Sequence, residues 1–440
     1  MMSEQSHRKL FLDQVCLEVR AKDMHDDIRE ELSGHLEELI QDRQAHGFPQ
    51  AGSEAWAVAQ MGDPQSLGKT LNRVHKPRMN WGLLGTVLFF AALSLVVMLS
   101  VDSNPTSAMK GWSFFKSQVY YMTIGLVLML GLYFVDFRKL QKLAWPLYIV
   151  TLIGIIALYS GGTTINGVAF LILRVVHFPI TLSFLTPFLC IALAGILTSS
   201  RDSFISSVRY RRWIELLIVA VPLLLLAMFH SLPELISYSL VALIVYVWCT
   251  RQWQWALGLA LVLSVITAVK AWNTASFVER FQGAFDPNAH ATTSGYMYTQ
   301  IRDVVRSAGW WGHGFANSPE HLPYPHSDML PVYLVNCFGW AGGLLLLGMV
   351  LWFTARLVKT LHLIREPFGK ALVLTLGSIL VIRLLYGLSI VSGKVVLSGI
   401  VFPFLSYGGH VIIEFAAVGL LLGIYRRKDM IPMAPIRPIK

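Results

Sequence analysis

The sequence predicts an all-α polytopic membrane protein with about ten transmembrane helices and a small cytoplasmic helical domain at the N-terminus. Three observations predict it. Of 440 residues, 55% are hydrophobic and only 14% are charged, against about 25% charged in soluble domains. Apolar runs such as GLLGTVLFFAALSLVVMLS (82–100) reach the roughly 20 residues that carry a helix across a bilayer. The first 80 residues are instead polar with a helical period, so no cleavable signal peptide is expected.

Residues 1–78 form the expected cytoplasmic module. IREELSGHLEELIQDRQAHG sets Ile28, Leu32, Leu36, Leu39 and Ile40 on one helical stripe, with acids and Arg43 opposite. Gly47 is placed to end that helix. A second helix is expected around AWAVAQMG. Asp63-Pro64 then supplies a cap and a first-turn proline for a third, carrying Leu67, Leu71 and Val74. The first 80 residues hold 10 Lys+Arg against 13 Asp+Glu, so the module is mildly acidic. His35 and His75 read as surface or packing histidines.

Ten spans follow, at about 82–101, 118–135, 145–159, 178–198, 213–229, 233–249, 254–271, 329–354, 370–392 and 404–425. With the N-terminus in the cytoplasm, the inside loops carry Arg138/Lys139/Lys142, Arg201/Arg209/Arg211/Arg212, Arg251, Arg356/Lys359/Arg365 and Arg426/Arg427/Lys428. Every one is basic, as the positive-inside rule asks. Both termini, including a tail at 429–440, then lie in the cytoplasm. The net charge of +10 is therefore topological, and no nucleic-acid partner is expected. Cys16, Cys190, Cys249 and Cys337 are scattered and suggest neither a metal site nor a disulfide framework.

One long outside segment, about 272–328, is expected between the seventh and eighth spans. A loop of that length is usually functional or disordered. Glycines at 309, 312 and 314 allow tight turns, and Trp310, Trp311 and Phe315 fit an interfacial anchor better than a sugar platform. The segment ends LPYPHSDM, with Asp328 directly before a long apolar run. An acid there either caps the eighth span or does chemistry at the water–lipid boundary. Arg383 and Glu414 are charges within the last two spans and are expected to pair with each other.

Two resemblances add to this. Residues 1–78 resemble the short helical prefix domains ahead of permease-like membrane proteins in Gram-positive bacteria, which implies an interaction or regulatory role. Residues 80–428 resemble the SEDS family (FtsW, RodA, SpoVE). The motifs are RF…FDP…GY…S-x-G-x-x-G-x-G…LPYPHSD…G-x-x-GG, the run PFLSYGG at 403–409, and FFKSQ before the second span. The resemblance implies polymerisation of lipid II into peptidoglycan at the outer face of the bacterial cytoplasmic membrane, beside a class B penicillin-binding protein-like transpeptidase. It implies Asp328 as the catalytic carboxylate, in the role of a general base toward the acceptor sugar, or as a ligand of a divalent cation (Mg or Mn). His326, Ser327, Ser406, Tyr407, Gly408 and Gly409 become substrate-binding candidates, with Arg280, Arg302, Arg306 and Lys394 as outer-face cations for the departing diphosphate.

The chain departs from the family pattern in four places. The fourth span reads HFPITLSFLTPF (177–188), without the Glu and Lys of the family's Q-P-S-E-x-x-K. Pro233-Glu234-Leu235-Ile236 stands for P-D-L-G, GKVVLSG (393–399) for G-L-L-P-V-T-G, and Met297 for the Gln after G-Y. A catalytically weakened regulator, or a protein that binds or flips lipid II, is the alternative.

Overall fold

A computed structural model describes residues 4–20, 25–74, 78–103, 113–165, 168–172, 179–199, 210–229, 231–317, 319 and 322–428. The expected tail at 429–440, His75, Arg201 and Arg209 lie outside the described residues. The chain divides into two compact units, 1–79 with 425–440, and 80–424.

The first unit contains α1 (Glu4–Glu18), α2 (His25–Ala45), α3 (Gln50–Gln60) and α4 (Pro64–Val74). Phe11, Val15 and Cys16 of α1 pack with Ile28, Leu32 and Leu36 of α2 and Ala57 of α3. The expected stripe is thus the buried one, with Leu39 and Ile40 at its edge. Gly47 turns the chain after α2 at φ 88°, and its N–H donates to the Gln44 carbonyl at 2.9 Å. Asp63 caps α4 by accepting the Ser66 N–H at 2.8 Å.

The second unit holds the apolar helices. They are α5 (Trp81–Asp102), α6 (Phe114–Phe134), the short α7 (Arg138–Lys142), α8 (Ala144–Gly161), α9 (Leu182–Ser199), α10 (Arg211–Ala227), α11 (Leu232–Thr250), α12 (Trp253–Trp272), α13 (Ala275–Phe285), α14 (Tyr296–Ser307), α15 (Leu330–Leu363), α16 (Pro367–Ile390) and α17 (His410–Arg426). Eight of these have 18 residues or more and are apolar enough to cross a membrane. The expected spans at 213–229 and 404–425 correspond to α10 and α17, of 17 residues each, the lower limit for a span. Leu257, Leu261, Val265 and Val269 of α12 are exposed, an apolar face suited to lipid. The protein is a polytopic α-helical membrane protein.

Four boundaries differ from those expected by four residues or more: the second span begins at Phe114 rather than 118, and the eighth helix runs to Leu363 rather than 354. The fourth span begins at Leu182 rather than 178, because Pro179–Ile180 (β3) pairs antiparallel with Leu171–Ile172 of β2 (Val168–Ile172), itself paired with β1 (Thr163–Ile165). Pro179 therefore lies in a strand and Pro187 inside α9. The last span begins at His410 rather than 404, since 402–409 is irregular backbone. The expected outside loop carries two amphipathic helices, α13 and α14.

α15 is broken at Gly339, which sits at φ 68°, ψ −168°. A break frees backbone groups, and groups away from water need partners. Here the Asn336 and Cys337 carbonyls accept the N–H groups of His313 and Gly314, at 2.8 and 3.1 Å. In return, Trp340 and Ala341 donate to Gly309 and Trp310, at 3.0 and 3.2 Å. Gly309, Gly312 and Gly314 hold φ of 57°, 73° and 94°, so the expected turns are made by left-handed backbone. A Cβ on Gly312 would also collide with the Cys337 carbonyl, whereas one on Gly309 meets nothing within 4 Å.

Gly309→Ala should therefore cost only the left-handed penalty, about 1–2 kcal/mol. Gly312→Ala should cost clearly more, about 3 kcal/mol. Thermal denaturation of the purified variants checks the order; equal losses would mean that Gly312 does not seat against the break.

Candidate active site at the His326–Asp328 loop

The loop between α14 and α15 ends in His326-Ser327-Asp328, and the loop before α17 carries Ser406-Tyr407-Gly408-Gly409. Backbone hydrogen bonding joins them. The Tyr407 N–H donates to the His326 carbonyl at 2.8 Å, and Ser406 Oγ donates to the Ser327 carbonyl at 3.0 Å. The His326 ring stacks on Phe114 at 4.2 Å between centroids and meets the Tyr407 ring edge-on at 6.0 Å. Burial pushes the His326 imidazole below the ordinary histidine pKa, and the Asp328 charge pulls weakly the other way.

Two polar residues of the first two membrane helices hold the Ser406 loop. Gln118, fully buried in α6, donates through Nε2 to the Ser406 carbonyl at 3.2 Å and to Ser94 Oγ at 3.1 Å. Its Oε1 accepts the Gly408 N–H at 3.3 Å. Ser94 Oγ of α5 donates to the Leu405 carbonyl at 2.7 Å. FFKSQ was legible as a motif, but Gln118 and Ser94 were not among the candidates. Their signal was an amide and a hydroxyl inside otherwise apolar spans.

Asp328 does not cap the following helix. The N-cap position of α15 is Met329, with no side-chain hydrogen bond. The Asp328 carboxylate instead accepts the Ser327 hydroxyl at 2.9 Å and is only half-buried. Its other oxygen lies 3.7 Å from where Gly399 would carry a Cβ. Gly399 in turn lines a cavity of about 330 Å³ with Tyr121, Thr181, Ser183, Glu234, Arg383 and the Tyr407–His410 loop. A carboxylate thus neighbours, through Gly399, a chamber with polar groups on its wall.

The expected basic residues do not reach the carboxylate. Arg280 donates to the Leu397 carbonyl at 2.9 Å. Arg302 donates to Asn288 at 3.0 Å and lies against Gly393. Lys394 is exposed on the same turn, and Arg306 is exposed on α14. Three of the four gather on the segment 393–399, whose far end flanks Asp328. Arg306 stands apart.

The expected Arg383–Glu414 pair is corrected. Arg383 of α16 forms its ion pair with Glu234 of α11, at 3.0 and 3.2 Å to the two oxygens, and Ser183 of α9 donates to the same carboxylate at 2.6 Å. All three line the cavity. Glu414 accepts the Phe404 N–H at 2.6 Å. An acid in a span demands a cation, and Glu234 answers that demand better because its side chain and that of Arg383 meet in one wall. Among the described residues no three His, Cys, Asp or Glu side chains cluster to hold a metal ion.

A neutral His326 has a pH consequence. Protonation is easier in the unfolded chain, so its contribution to stability is complete above about pH 6.5 and declines as pH falls below that value. Melting temperatures of wild type and His326→Phe, taken from about pH 7.5 to 5, should diverge on the acid side, with wild type falling further. Parallel curves would mean that the imidazole is not held neutral.

Known proteins share the sequence pattern and fold of the membrane unit. The family model for FtsW, RodA and SpoVE, described as cell cycle protein, matches residues 80–430. The probable peptidoglycan glycosyltransferase FtsW of Geobacter sp. (strain M18) is 25% identical over 341 residues, covering 76% of this chain and 93% of its own. That of Thioalkalivibrio sulfidiphilus (strain HL-EbGR7) is 27% identical over 384 residues, covering 82% and 92%. Among solved structures, a chain from a study of how a peptidoglycan synthase complex coordinates polymerization and crosslinking superposes with a TM-score of 0.65 at 21% identity, over 80% of this chain and 98% of that one. The rod shape determining protein RodA of Thermus thermophilus gives 0.57 at 21% identity, over 80% and 97%. These superpositions carry the fold. With the family model spanning the whole membrane unit, the chain belongs to the FtsW/RodA/SpoVE family of cell cycle proteins.

Proposed function

We propose that this protein polymerises lipid II into glycan strands, as a peptidoglycan glycosyltransferase of cell-wall synthesis. The observation that carries the reading is Asp328, a half-buried carboxylate held by two interlocked loops beside Gly399, which lines the polar-walled cavity. The relatives named as peptidoglycan glycosyltransferases supply the reaction class.

In this reading Asp328 accepts the proton of the acceptor sugar's 4-hydroxyl. That oxygen forms a bond to the donor's anomeric carbon, and the bond to the undecaprenyl diphosphate oxygen breaks. A positioned general base of this kind contributes about 10²–10⁴-fold. Arg280, Arg302 and Lys394, on and around the 393–399 turn, offset charge on the leaving diphosphate. His326 and Tyr407 form an aromatic floor beside the carboxylate, and Gly408 and Gly409 let the backbone approach a headgroup. Among the described residues Asp328 belongs to no group of three His, Cys, Asp or Glu side chains clustered to hold a metal ion, and the reading assigns no step to Mg or Mn.

The basic loops favour both termini in the cytoplasm, and in that orientation Asp328 is on the outer face of the bacterial cytoplasmic membrane. A class B penicillin-binding protein-like transpeptidase is the proposed partner, in keeping with the solved relative from a synthase complex. The prefix unit is proposed as a cytoplasmic interaction or regulatory module.

The test is polymerisation of labelled lipid II by the purified protein, alone and with candidate transpeptidases. Wild type should make polymer, and a folded Asp328→Asn should lose about 100-fold or more. No polymer from either protein, with or without partners, would overturn the enzyme reading in favour of a lipid- or partner-binding regulator.

A further inference from the structure

We propose that Glu414, inside the last membrane helix, is a positioning residue that holds the Ser406 loop and through it the Asp328 loop. Phe404 carries the observation. It is a non-glycine residue at φ 65°, a conformation that bulky L side chains rarely adopt. Its N–H donates to Glu414 Oε2 at 2.6 Å, in a buried site. Its ring is stacked parallel on Phe90 at 6.1 Å and met edge-on by Phe353 and Phe415. Packing fixes the ring, and the carboxylate fixes the backbone. Two residues on, Ser406 and Tyr407 make the bonds to Ser327 and His326 that place Asp328.

Glu414 is itself anchored. Its other oxygen, Arg383 Nε and His410 Nε2 are buried without a hydrogen-bond partner among the described atoms. Their three residues line one small chamber, of about 20 Å³, with Ser183. That is room for one water. With His410 Nδ1–H donating to the Gly408 carbonyl at 3.3 Å, Nε2 is left an acceptor. A water held there would accept from Arg383 Nε and donate to His410 Nε2 and Glu414 Oε1. Arg383, paired with Glu234 in the cavity wall, thus shares a chamber with Glu414, and Glu414 holds the loop whose Ser406 bonds the Asp328 loop. This group occupies the membrane interior of a chain whose fourth span lacks the family's Glu and Lys.

The effect on turnover rests on the polymerase reading; the effect on loop order does not. The experiment therefore reads both, on the full chain in lipid nanodiscs. Hydrogen–deuterium exchange of the segments 322–329 and 402–409 is followed in wild type, Glu414→Leu and Glu414→Gln, beside polymerisation kinetics. Glu414→Leu should speed exchange in both segments and lower kcat roughly 10- to 100-fold, with KM within about twofold. Glu414→Gln, whose amide oxygen still accepts the Phe404 N–H, should rescue both readouts. Unchanged exchange at 322–329 in Glu414→Leu would overturn the proposal, as would a Glu414→Gln that behaves like Glu414→Leu. If Glu414→Leu does not fold, Glu414→Asp, with its carboxylate set back by one methylene, should loosen both segments, and unchanged exchange at 322–329 there overturns the proposal. If wild type makes no polymer, the exchange result alone decides.

Discussion

Irregular backbone inside a membrane protein must find every hydrogen bond it needs from its neighbours, and the segment 402–409 meets that constraint in full view. Its Phe402 N–H goes to Ser406 Oγ, Phe404 N–H to Glu414, the Leu405 carbonyl to Ser94, the Ser406 carbonyl to Gln118, Tyr407 N–H to His326 and Gly408 N–H to Gln118. Each unmade bond in such a setting costs about 1–3 kcal/mol. The loop is therefore set by partners on α5, α6, α17 and the 322–329 segment together. Asp328 inherits its position from that agreement. A half-buried carboxylate with a single hydroxyl partner is free to receive a substrate group, while the backbone behind it is not free to move.

The charges of the membrane interior are arranged by the same rule. Glu234 and Arg383 are buried, paired at 3.0 Å, and further satisfied by Ser183. Removing one partner of such a pair costs about 3–5 kcal/mol, because the other is left charged and alone. Its place on the cavity wall gives the chamber a polar side at membrane depth. The family's fourth-span Glu and Lys are missing, yet an acid–base pair remains, formed between α11 and α16.

Much of the architecture was legible because apolar runs are long and turn residues are specific. Gly47, Asp63, and the glycines at 309, 312 and 314 behave as their chemistry requires. The starts of the fourth and last spans were misplaced for one physical reason. Hydropathy reports burial, and PFLSYGG or HFPI can be buried as loop or strand when other segments supply the bonds. The candidate site was legible through resemblance at His326–Asp328 and Ser406–Gly409, which the fold does bring together. Gln118 and Glu234 were harder, since their partners lie 290 and 149 residues away in the chain. The Arg383–Glu414 expectation failed although the two residues line one chamber, because the guanidinium goes to Glu234 of α11, a partner 149 residues away in the chain.

In the proposed function, the fixed Asp328 carboxylate and the cavity beside it receive a lipid-linked sugar diphosphate. The most direct measurement is a cryo-EM structure of Asp328→Asn with lipid II bound in nanodiscs. The account predicts sugar density within hydrogen-bonding distance of residue 328, diphosphate beside the 393–399 turn, and the two loops in register as described here. Lipid II bound at another face of the helices, with residue 328 facing only solvent, would contradict it.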